Sequence, residues 1–211
     1  MRPRRHLVIF AKAPALGRVK RRLAAGIGAL AALRFQRYNT ARLLRRVASD
    51  RRWRCWLALT PDRYAAAPRF WRVPCRRIAQ GGGDLGRRMA RPFARLPAGP
   101  VIVLGSDIPA IARHHIAAAF RLLGDHDLVF GPANDGGYWL IGARRRPLPR
   151  GLFEAVRWST AHALADTLAN VPRRLRVGVA ATLDDVDDER AYRRFVRRSA
   201  SRPSDAPGAE A

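Results

Sequence analysis

The chain has two lysines, Lys12 and Lys20, and both lie in one short segment that begins at His6. Every other member of its 41 lysines and arginines is an arginine. Lysine is a compact point charge on a flexible stem, whereas arginine is a rigid planar fork, and phosphate sites often use the point charge. We interpret the two lysines as candidate phosphate ligands. The alternative is that two lysines remain there by chance.

The segment around these lysines has the pattern of a strand, a loop and a helix. The apolar run from Leu7 to Phe10 is typical of a buried parallel strand. Pro14 and Gly17 interrupt any regular pattern, and helical spacing resumes at Val19. Open α/β sheets bind ligands in such loops, where helix N-terminal amides favour phosphate. We therefore predict that this loop binds a nucleotide, through Lys12, Gly17, Arg18 and Lys20.

A carboxylate follows the clearest buried strand, residues 100–105. Asp107 lies there in the sequence Gly105-Ser-Asp-Ile-Pro109. Magnesium in proteins prefers one or two carboxylates together with substrate phosphates, so Asp107 is a candidate ligand for Mg²⁺ or Mn²⁺. The alternative is a helix N-cap before Ile111.

Three other acidic positions have two interpretations each. Asp135 lies where an α/β fold can place a functional carboxylate, but it is followed by two glycines between two strands, a pattern that also suits a hairpin turn. Asp84 can cap a helix, while the glycines beside it allow close approach of a ligand to the backbone. The acidic run at 184–188 can cap the last helix through Asp187 or Asp188, and Asp187 is also a candidate second metal ligand.

Composition excludes several classes of protein. The histidines are scattered and no serine lies in a Gly-x-Ser-x-Gly elbow, which argues against a triad hydrolase. No apolar run approaches the length of a membrane span. Cys55 and Cys75 fit no metal spacing, and we expect reduced thiols in a cytoplasmic protein, with one disulfide as the alternative. The net charge of +25 is spread along the chain, so we expect solvated arginines and no dedicated nucleic-acid site.

Alternation of strand and helix patterns predicts an α/β fold with a central, mainly parallel sheet flanked by helices. We expect one domain over residues 1–199 and a disordered tail over 200–211. The predicted strands are 6–11, 53–60, 72–78, 100–105, 127–131, 138–142 and 174–180. The predicted helices include 29–48, 111–123, one capped by Ser159 that runs to about 171, and one that ends near 197.

Several of these segments together resemble a known bacterial family, the glycosyltransferase-A-like proteins called domain of unknown function 2064, or radical-SAM/selenodomain-associated transferase 1. Some members are labelled arsenosugar-biosynthesis glycosyltransferases. The resemblance covers about residues 6–198, and the chain departs from the usual family pattern at Arg21, where a threonine is common. The matching motifs are Phe10–Lys20 with Leu23, Gln80–Met89, Gly105–Pro109, Gly131–Gly142, Trp158–Thr160 and Leu183–Asp187.

The resemblance implies a Rossmann-like, nucleotide-diphospho-sugar transferase fold, similar to that of cobalamin- and molybdopterin-type nucleotidyltransferases and of phospholactate guanylyltransferase. It implies metal-assisted transfer from a nucleotide-sugar donor to a small-molecule acceptor. The alternative is nucleotidyl transfer with release of pyrophosphate. It also implies residue roles: Gln80 and Asp84 at the nucleotide, Asp135 and Lys20 in catalysis, and Gly136, Gly137, Tyr138 and Trp158 at the acceptor or sugar.

Overall fold

A computed structural model of the chain describes residues 4–66, 70–144 and 148–200, without the side chains of the last two. Within these ranges, seven strands form one sheet in the order β3-β2-β1-β4-β6-β5-β7. Strand β6 is antiparallel to β4 and to β5, and every other neighbouring pair is parallel. The strands are β1 (His6–Lys12), β2 (Arg54–Thr60), β3 (Arg76–Ala79), β4 (Val101–Gly105), β5 (Leu128–Pro132), β6 (Tyr138–Ala143) and β7 (Val177–Val179).

Helices cover the sheet and confirm the predicted α/β fold with a mainly parallel sheet. They are α1 (Arg21–Ile27), α2 (Ala29–Val47), α3 (Arg63–Ala66), α4 (Leu85–Arg95), α5 (Arg113–Asp125), α6 (Ala163–Ala169) and α7 (Glu189–Ala200). The proposed tail lies outside the described residues from 201 onward.

The helix cap predicted at Ser159 is wrong. Helix α6 begins four residues later, with His162 at the N-cap position and no side-chain capping bond. Ser159 itself has φ of 62°, in the left-handed region, so it turns the chain before the helix starts.

The apolar run of β1 is buried on both faces of the sheet, which explains why it shows no polar alternation. Leu7 and Ile9 pack in one core with Leu44 of α2 and Phe120 of α5. Val8 points to the other face and belongs to a second core that includes Met89 and Phe93 of α4.

A third, smaller core joins α1, α2 and α7. It contains Leu23, Phe35, Val186 and Ala191. Because Val186 is buried there, the acidic run beside it is held next to the start of α1. This packing brings two segments together that are more than 160 residues apart in the chain.

The predicted ligand edge of the sheet lies where β1 and β4 are neighbours. The chain leaves β1 toward β2 on one side, whereas β4 pairs with β6 on the other. Such reversals of strand order leave a crevice at the carboxyl ends of the strands. Leu104 pairs with Leu140, so the antiparallel β6 starts at this same edge and brings the β5–β6 turn to it.

Two findings bear on the composition. Cys55 is buried, Cys75 is half-buried, and both thiols are free, as expected. Among the described residues, no helix has the length and apolar character needed to cross a bilayer.

Candidate functional site

Lys20 lies at the centre of the cleft at this sheet edge. Its Nζ atom is 2.8 Å from Asp107 Oδ1 and 2.5 Å from Asp187 Oδ1, and it donates to the carbonyl of Val186 at 2.9 Å. Only 6% of the Lys20 side chain is exposed. The structure therefore places a buried ammonium group between the two carboxylates predicted as metal ligands.

The backbone at Lys20 adopts an uncommon conformation for a residue with a side chain. Its φ and ψ are 47° and 50°, in the left-handed region, immediately before α1. Such a conformation costs roughly 1–2 kcal/mol for a non-glycine residue. It persists because the two carboxylates and the Val186 carbonyl hold the side chain in place.

The charges in this centre stabilise one another. Burial lowers the pKa of Lys20, but attraction to Asp107 and Asp187 and hydrogen bonds to them outweigh it, so the pKa lies above its usual value. Burial raises the pKa of Asp187, but the charges of Lys20 and Arg22 and their hydrogen bonds to Asp187 lower it by more. The net result is a pKa below the usual value for aspartate. Lys20 and Asp187 are therefore both charged at neutral pH.

Helix α2 holds the loop that carries Asp107. Asn39 is buried and donates through Nδ2 to the carbonyl of Ser106 at 2.8 Å. Arg46 donates to the carbonyls of Pro109 and Ile111 at 3.0 and 3.2 Å. These contacts fix the loop on both sides of Asp107, and sequence reasoning missed them.

The helix-cap alternative for Asp107 is wrong. The N-cap residue of α5 is Ala112, five positions later. Asp107 instead faces the cleft, where it pairs with Lys20 and about half of its side chain is exposed.

A cavity of about 730 Å³, here called the lysine hollow, opens beside Lys20. Residues predicted to bind the nucleotide line it, and Lys12 and Arg18 are exposed there. The predicted members of the lining are Lys12, Arg18, Lys20, Gln80, Asp107, Tyr138 and Asp187. The loop and sheet edge thus bring these seven residues to one cavity.

Two buried amides support the strand ends under the lysine hollow. Gln80 donates through Nε2 to the carbonyl of Ala58 at 2.9 Å and to that of Ala11 at 3.3 Å. Gln36 of α2 donates to the carbonyl of Lys12 at 2.9 Å. Gln36 also lines the hollow and was not predicted, because one polar residue on a long amphipathic helix gives no signal in sequence.

A second cavity of about 380 Å³, here called the aspartate hollow, adjoins the first. Asp107, Asp187 and Tyr138 line both cavities. The other predicted residues that line the aspartate hollow are Asp135, Gly137 and Trp158. The two hollows therefore form one continuous cleft, with exposed cations in the lysine hollow and carboxylates in the aspartate hollow.

Asp135 makes a turn contact and also lies in the aspartate hollow. Its Oδ1 accepts a hydrogen bond from the backbone N–H of Gly137 at 2.9 Å, which is a turn contact. The residue is also exposed and lines the aspartate hollow. A structural role for one carboxylate oxygen leaves the other available to a ligand.

Gly136 is required by the turn. Its φ is 82°, and a Cβ there would lie 2.2 Å from the carbonyl oxygen of Ala161. The Gly136 carbonyl accepts from the N–H of Leu164 at 3.1 Å, so the turn is fixed against the start of α6. Gly136 supports the hollow from outside its lining.

Asp185 is a site residue that sequence reasoning did not single out. Burial, with the negative charges of Asp187, Asp135 and Asp107, raises its pKa to about 6. This environment arises only when the acidic run packs against the β5–β6 turn. In the sequence alone, the run indicates no more than helix capping. Asp188 does that capping, since its Oδ1 accepts from the Ala191 N–H at 2.8 Å.

Three predicted residues do not line the cleft: Gly17, Asp84 and Gly136. Asp84 caps α4 by accepting from the Arg87 N–H at 2.7 Å, which confirms its capping interpretation. Gly17 has φ of 69° and shapes the loop before α1.

The donor set at Lys20 is compatible with a divalent cation. Among the described residues, no group of three or more histidine, cysteine, aspartate or glutamate side chains is arranged around a metal position. However, Asp107 and Asp187 already converge on one cation, the Lys20 ammonium. A pair of hard oxygen donors suits Mg²⁺ or Mn²⁺ when substrate phosphates complete the coordination.

Comparison with solved structures identifies the class of fold, that of glycosyltransferase-A-like nucleotide-sugar transferases. The chain is similar to a Desulfovibrio desulfuricans G20 protein provisionally assigned as a nucleotide-diphospho-sugar transferase, with TM-score 0.83, 28% identity, and coverage of 93% of this chain and 88% of that one. It also resembles 4-diphosphocytidyl-2C-methyl-D-erythritol synthase from Anaerococcus prevotii DSM 20548, with TM-score 0.63, 11% identity, and coverage of 94% and 96%.

A third similar structure contains ligands. It is glucosyl-3-phosphoglycerate synthase from Mycobacterium tuberculosis in complex with Mn²⁺, uridine diphosphate and glucosyl-3-phosphoglycerate. Its TM-score is 0.51 at 12% identity, with coverage of 87% of this chain and 71% of that one. This likeness is one of fold.

The family follows from the sequence match. Residues 43–160, more than half of the chain, match the model of DUF2064, described as an uncharacterized protein conserved in bacteria. The chain belongs to this family. A comparison with curated protein sequences found no match.

Proposed function

We propose that this protein transfers a glycosyl group from a nucleotide sugar to a small-molecule acceptor with the help of a divalent cation. The observation that carries the proposal is the position of the Lys20 ammonium, which lies between Asp107 and Asp187, two carboxylates that line both hollows. A cation at that point can act on a group transferred from one hollow to the other.

The lysine hollow takes the nucleotide donor. Lys12 and Arg18 are exposed cations at its rim, and Lys20 lies deeper. Together they offer three positive charges to a diphosphate, with charge-assisted hydrogen bonds of about 1.5–3 kcal/mol each. Gln80 lines the same hollow and orients the nucleotide.

Asp107 and Asp187 hold Mg²⁺ or Mn²⁺ in this proposal. A bound divalent ion would neutralise charge on the departing diphosphate. Lys20 would stabilise negative charge on the departing group beside the ion, because its ammonium is buried and already positioned.

The aspartate hollow takes the acceptor. Asp135 is exposed in it and accepts the proton of the attacking hydroxyl, as a general base does. Gly137 and Tyr138 contact the acceptor or the sugar, and the indole of Trp158 provides an apolar wall, with its ring centroid 6.3 Å from that of Tyr138.

Nucleotidyl transfer is the second candidate. It is favoured by the burial of the Lys20 ammonium at the junction, where it can stabilise charge on a transferred phosphoryl group. The fold likeness to 4-diphosphocytidyl-2C-methyl-D-erythritol synthase is consistent with it. The two reactions differ in product: glycosyl transfer releases a nucleoside diphosphate, and nucleotidyl transfer releases pyrophosphate.

The test begins with a thermal-shift screen of nucleotides and nucleotide sugars, with and without Mn²⁺. A ligand at 100 times its dissociation constant stabilises the fold by about 2.7 kcal/mol. Ligands that bind are then incubated with candidate acceptors, and the released product is identified. A nucleoside diphosphate supports the proposal, pyrophosphate supports the second candidate, and absence of nucleotide binding in the whole screen contradicts both.

A further inference from the structure

The two cysteines of the chain lie next to each other at the start of the β2–β3 strand pair. Trp56 of β2 pairs in parallel register with Arg76 of β3, and Cys55 and Cys75 directly precede these two residues. Neighbouring strands lie about 4.7–4.9 Å apart. The Cα atoms of a disulfide are usually about 4.4–6.8 Å apart. The backbone therefore holds the two cysteines at a separation that a disulfide can span.

Both cysteine side chains point to the same face of the sheet. Cys55 is buried in the core that contains Leu7 and Ile9, and Cys75 packs against this core. Trp56, the residue after Cys55, belongs to the core on the opposite face. The two thiols are free and share a hydrogen bond. The sulfur atoms are therefore neighbours on one side of the sheet.

The two thiols differ in their access to solvent. Strand β3 forms an edge of the described sheet, and none of its four residues is buried. Cys75 lies just before this strand and is half-buried, whereas Cys55 on β2 is only 4% exposed. Thinly covered edge elements open locally more easily than central ones. A small oxidant can therefore reach Cys75 before it reaches Cys55.

The environments of the two thiols also differ electrostatically. The hydrogen bond with Cys55 and attraction to the Arg77 guanidinium lower the pKa of Cys75, although burial opposes them. Arg77 is held in place because it donates to the carbonyls of Phe70 and Trp71 at 2.6 and 2.9 Å. The hydrogen bond with Cys75, together with burial, raises the pKa of Cys55. Because the thiolate is the reactive form, Cys75 is the thiol that reacts first.

We infer that Cys55 and Cys75 form a peroxide-sensitive dithiol whose oxidation closes a disulfide between β2 and the segment that leads into β3. The Cys75 thiolate attacks one oxygen of a hydroperoxide, so that an S–O bond forms and the O–O bond breaks. The products are a Cys75 sulfenic acid and, after the departing oxygen takes a proton, water or an alcohol. The Cys55 sulfur then attacks the sulfenic sulfur, and the hydroxyl leaves as water with the Cys55 proton. The two thiols are oxidised and the peroxide is reduced.

The disulfide would fix the edge of the sheet rather than change the cleft. It would close a loop of about 20 residues, and cross-links of this length stabilise folded proteins. Cys55 and Cys75 line neither the lysine hollow nor the aspartate hollow. The inference is therefore independent of the proposed transfer reaction.

The test treats the folded, reduced wild-type protein with a small molar excess of hydrogen peroxide. Remaining thiols are then blocked with iodoacetamide in denaturant, and tryptic peptides are mapped by mass spectrometry without reduction. Because the chain has two cysteines, any intramolecular disulfide must join them. Cys75→Ser removes the thiol that reacts first, and Cys55→Ser, its matched control, removes the thiol that closes the bond.

The inference predicts one linked peptide pair containing Cys55 and Cys75 in the monomer, with both thiols recovered on addition of dithiothreitol. The linked protein should melt about 5 °C higher than the reduced protein. In Cys55→Ser, Cys75 should continue to the sulfinic acid. In Cys75→Ser, the remaining thiol should react at least about tenfold more slowly than Cys75 does in Cys55→Ser.

Three results with the wild-type protein would overturn the inference, whether or not the variants fold. One is survival of both thiols under peroxide that oxidises a model thiol completely. Another is a disulfide between two copies of the chain in place of the internal one. The third is Cys75 oxidised to the sulfinic acid while Cys55 remains a free thiol.

Discussion

The lysine and aspartate hollows are neighbours that differ in the sign of their charge. The lysine hollow has exposed cations at Lys12 and Arg18, whereas the aspartate hollow contains Asp135 and Asp185. They share Asp107 and Asp187, the two carboxylates on either side of the buried Lys20 ammonium. Under the proposed function, this difference would let the lysine hollow attract the phosphates of the donor by charge, while the aspartate hollow orients the acceptor and takes its proton.

The largest effect should come from Lys20, between the two carboxylates that both hollows share. Lys20→Ala is expected to lower turnover by roughly a thousandfold, as removal of one positioned electrostatic stabiliser does. It also leaves Asp107 and Asp187 without the ammonium between them, so the free energy of unfolding should fall by about 2 kcal/mol, less than for a fully buried pair. Steady-state kinetics and chemical denaturation measure the two effects.

Two further variants separate charge from shape at this position. Lys12→Ala removes an exposed lysine of the same hollow and should weaken nucleotide binding with no change in stability. Lys20→Arg keeps the charge, but a planar fork replaces the point charge, so the protein should fold with clearly reduced turnover. Wild-type turnover in Lys20→Arg would show that charge alone is needed there.

Asp135 tests the acceptor half. Asparagine suits the turn as well as aspartate, so Asp135→Asn should leave folding and nucleotide affinity unchanged. Loss of a general base should lower turnover by roughly a hundredfold. Asp127→Asn is the control, because Asp127 also accepts a hydrogen bond from a backbone N–H, that of Arg176 at 3.0 Å, but lies outside both hollows, so it should be silent in the kinetic assay. Normal turnover in Asp135→Asn would limit this residue to its turn contact.

A substitution at Gly136 tests whether the aspartate hollow depends on the turn that contains this glycine. A Cβ at Gly136 would meet the Ala161 carbonyl at 2.2 Å in a backbone with φ of 82°. Gly136→Ala should therefore reduce the free energy of unfolding by about 2 kcal/mol. Gly82→Ala, where a Cβ meets nothing within 4 Å, should change stability little. Equal denaturation midpoints for the two variants would contradict the role assigned to the turn.

The smallest effect concerns the raised pKa of Asp185, about 6 in the folded protein against an ordinary value of 3.8. The folded state holds this proton more tightly, so its contribution makes stability fall as pH rises from about 4 to about 6. Asp185→Asn removes that penalty and should stabilise the protein by about 1 kcal/mol above pH 6 with chelator present, after allowance for solvent screening. Denaturation curves at pH 4 and pH 7 measure it.

Asp166 serves as the comparison for Asp185, because its pKa is lowered rather than raised and its effect on stability has the opposite dependence on pH. A hydrogen bond from Arg157 lowers its pKa to about 2. Its contribution is present above the ordinary pKa and disappears as pH falls toward 2. Asp166→Asn should therefore destabilise the protein at pH 7, where Asp185→Asn stabilises it. The same sign for both variants would contradict the charge environment described for the aspartate hollow.

Local patterns in the sequence predicted most of the fold. The apolar run of β1 and the alternation of elements follow from residues near one another in the chain, and each predicted strand is present. The hairpin-turn interpretation of Asp135 already implies that β6 is antiparallel to β5, but the insertion of β6 between β5 and β4 could not be predicted in this way, because it depends on pairing with a strand that is distant in the sequence. Ser159 misled the prediction because a good capping residue type took a left-handed conformation instead.

The sequence predicted which residues form the candidate site, but it did not predict how these residues contact one another. Asp107, Asp187 and Lys20 were identified by type and position, but their ion pairs depend on the packing of Val186 in the third core. Asn39 was missed because its contact with the loop after β4 is visible only in three dimensions. Asp185 was missed for the same reason.

Under the proposed function, Asp107 and Asp187 hold a divalent cation beside a nucleotide in the lysine hollow. Its most direct test is the dissociation constant of the nucleotide or nucleotide sugar found in the screen, with and without Mn²⁺, for the wild-type protein and Asp107→Asn. We expect Mn²⁺ to tighten binding at least about tenfold in the wild type and to have little effect in Asp107→Asn, because an amide oxygen is a poorer ligand for a hard cation. Nucleotide binding that is unaffected by Mn²⁺ in the wild-type protein would contradict it.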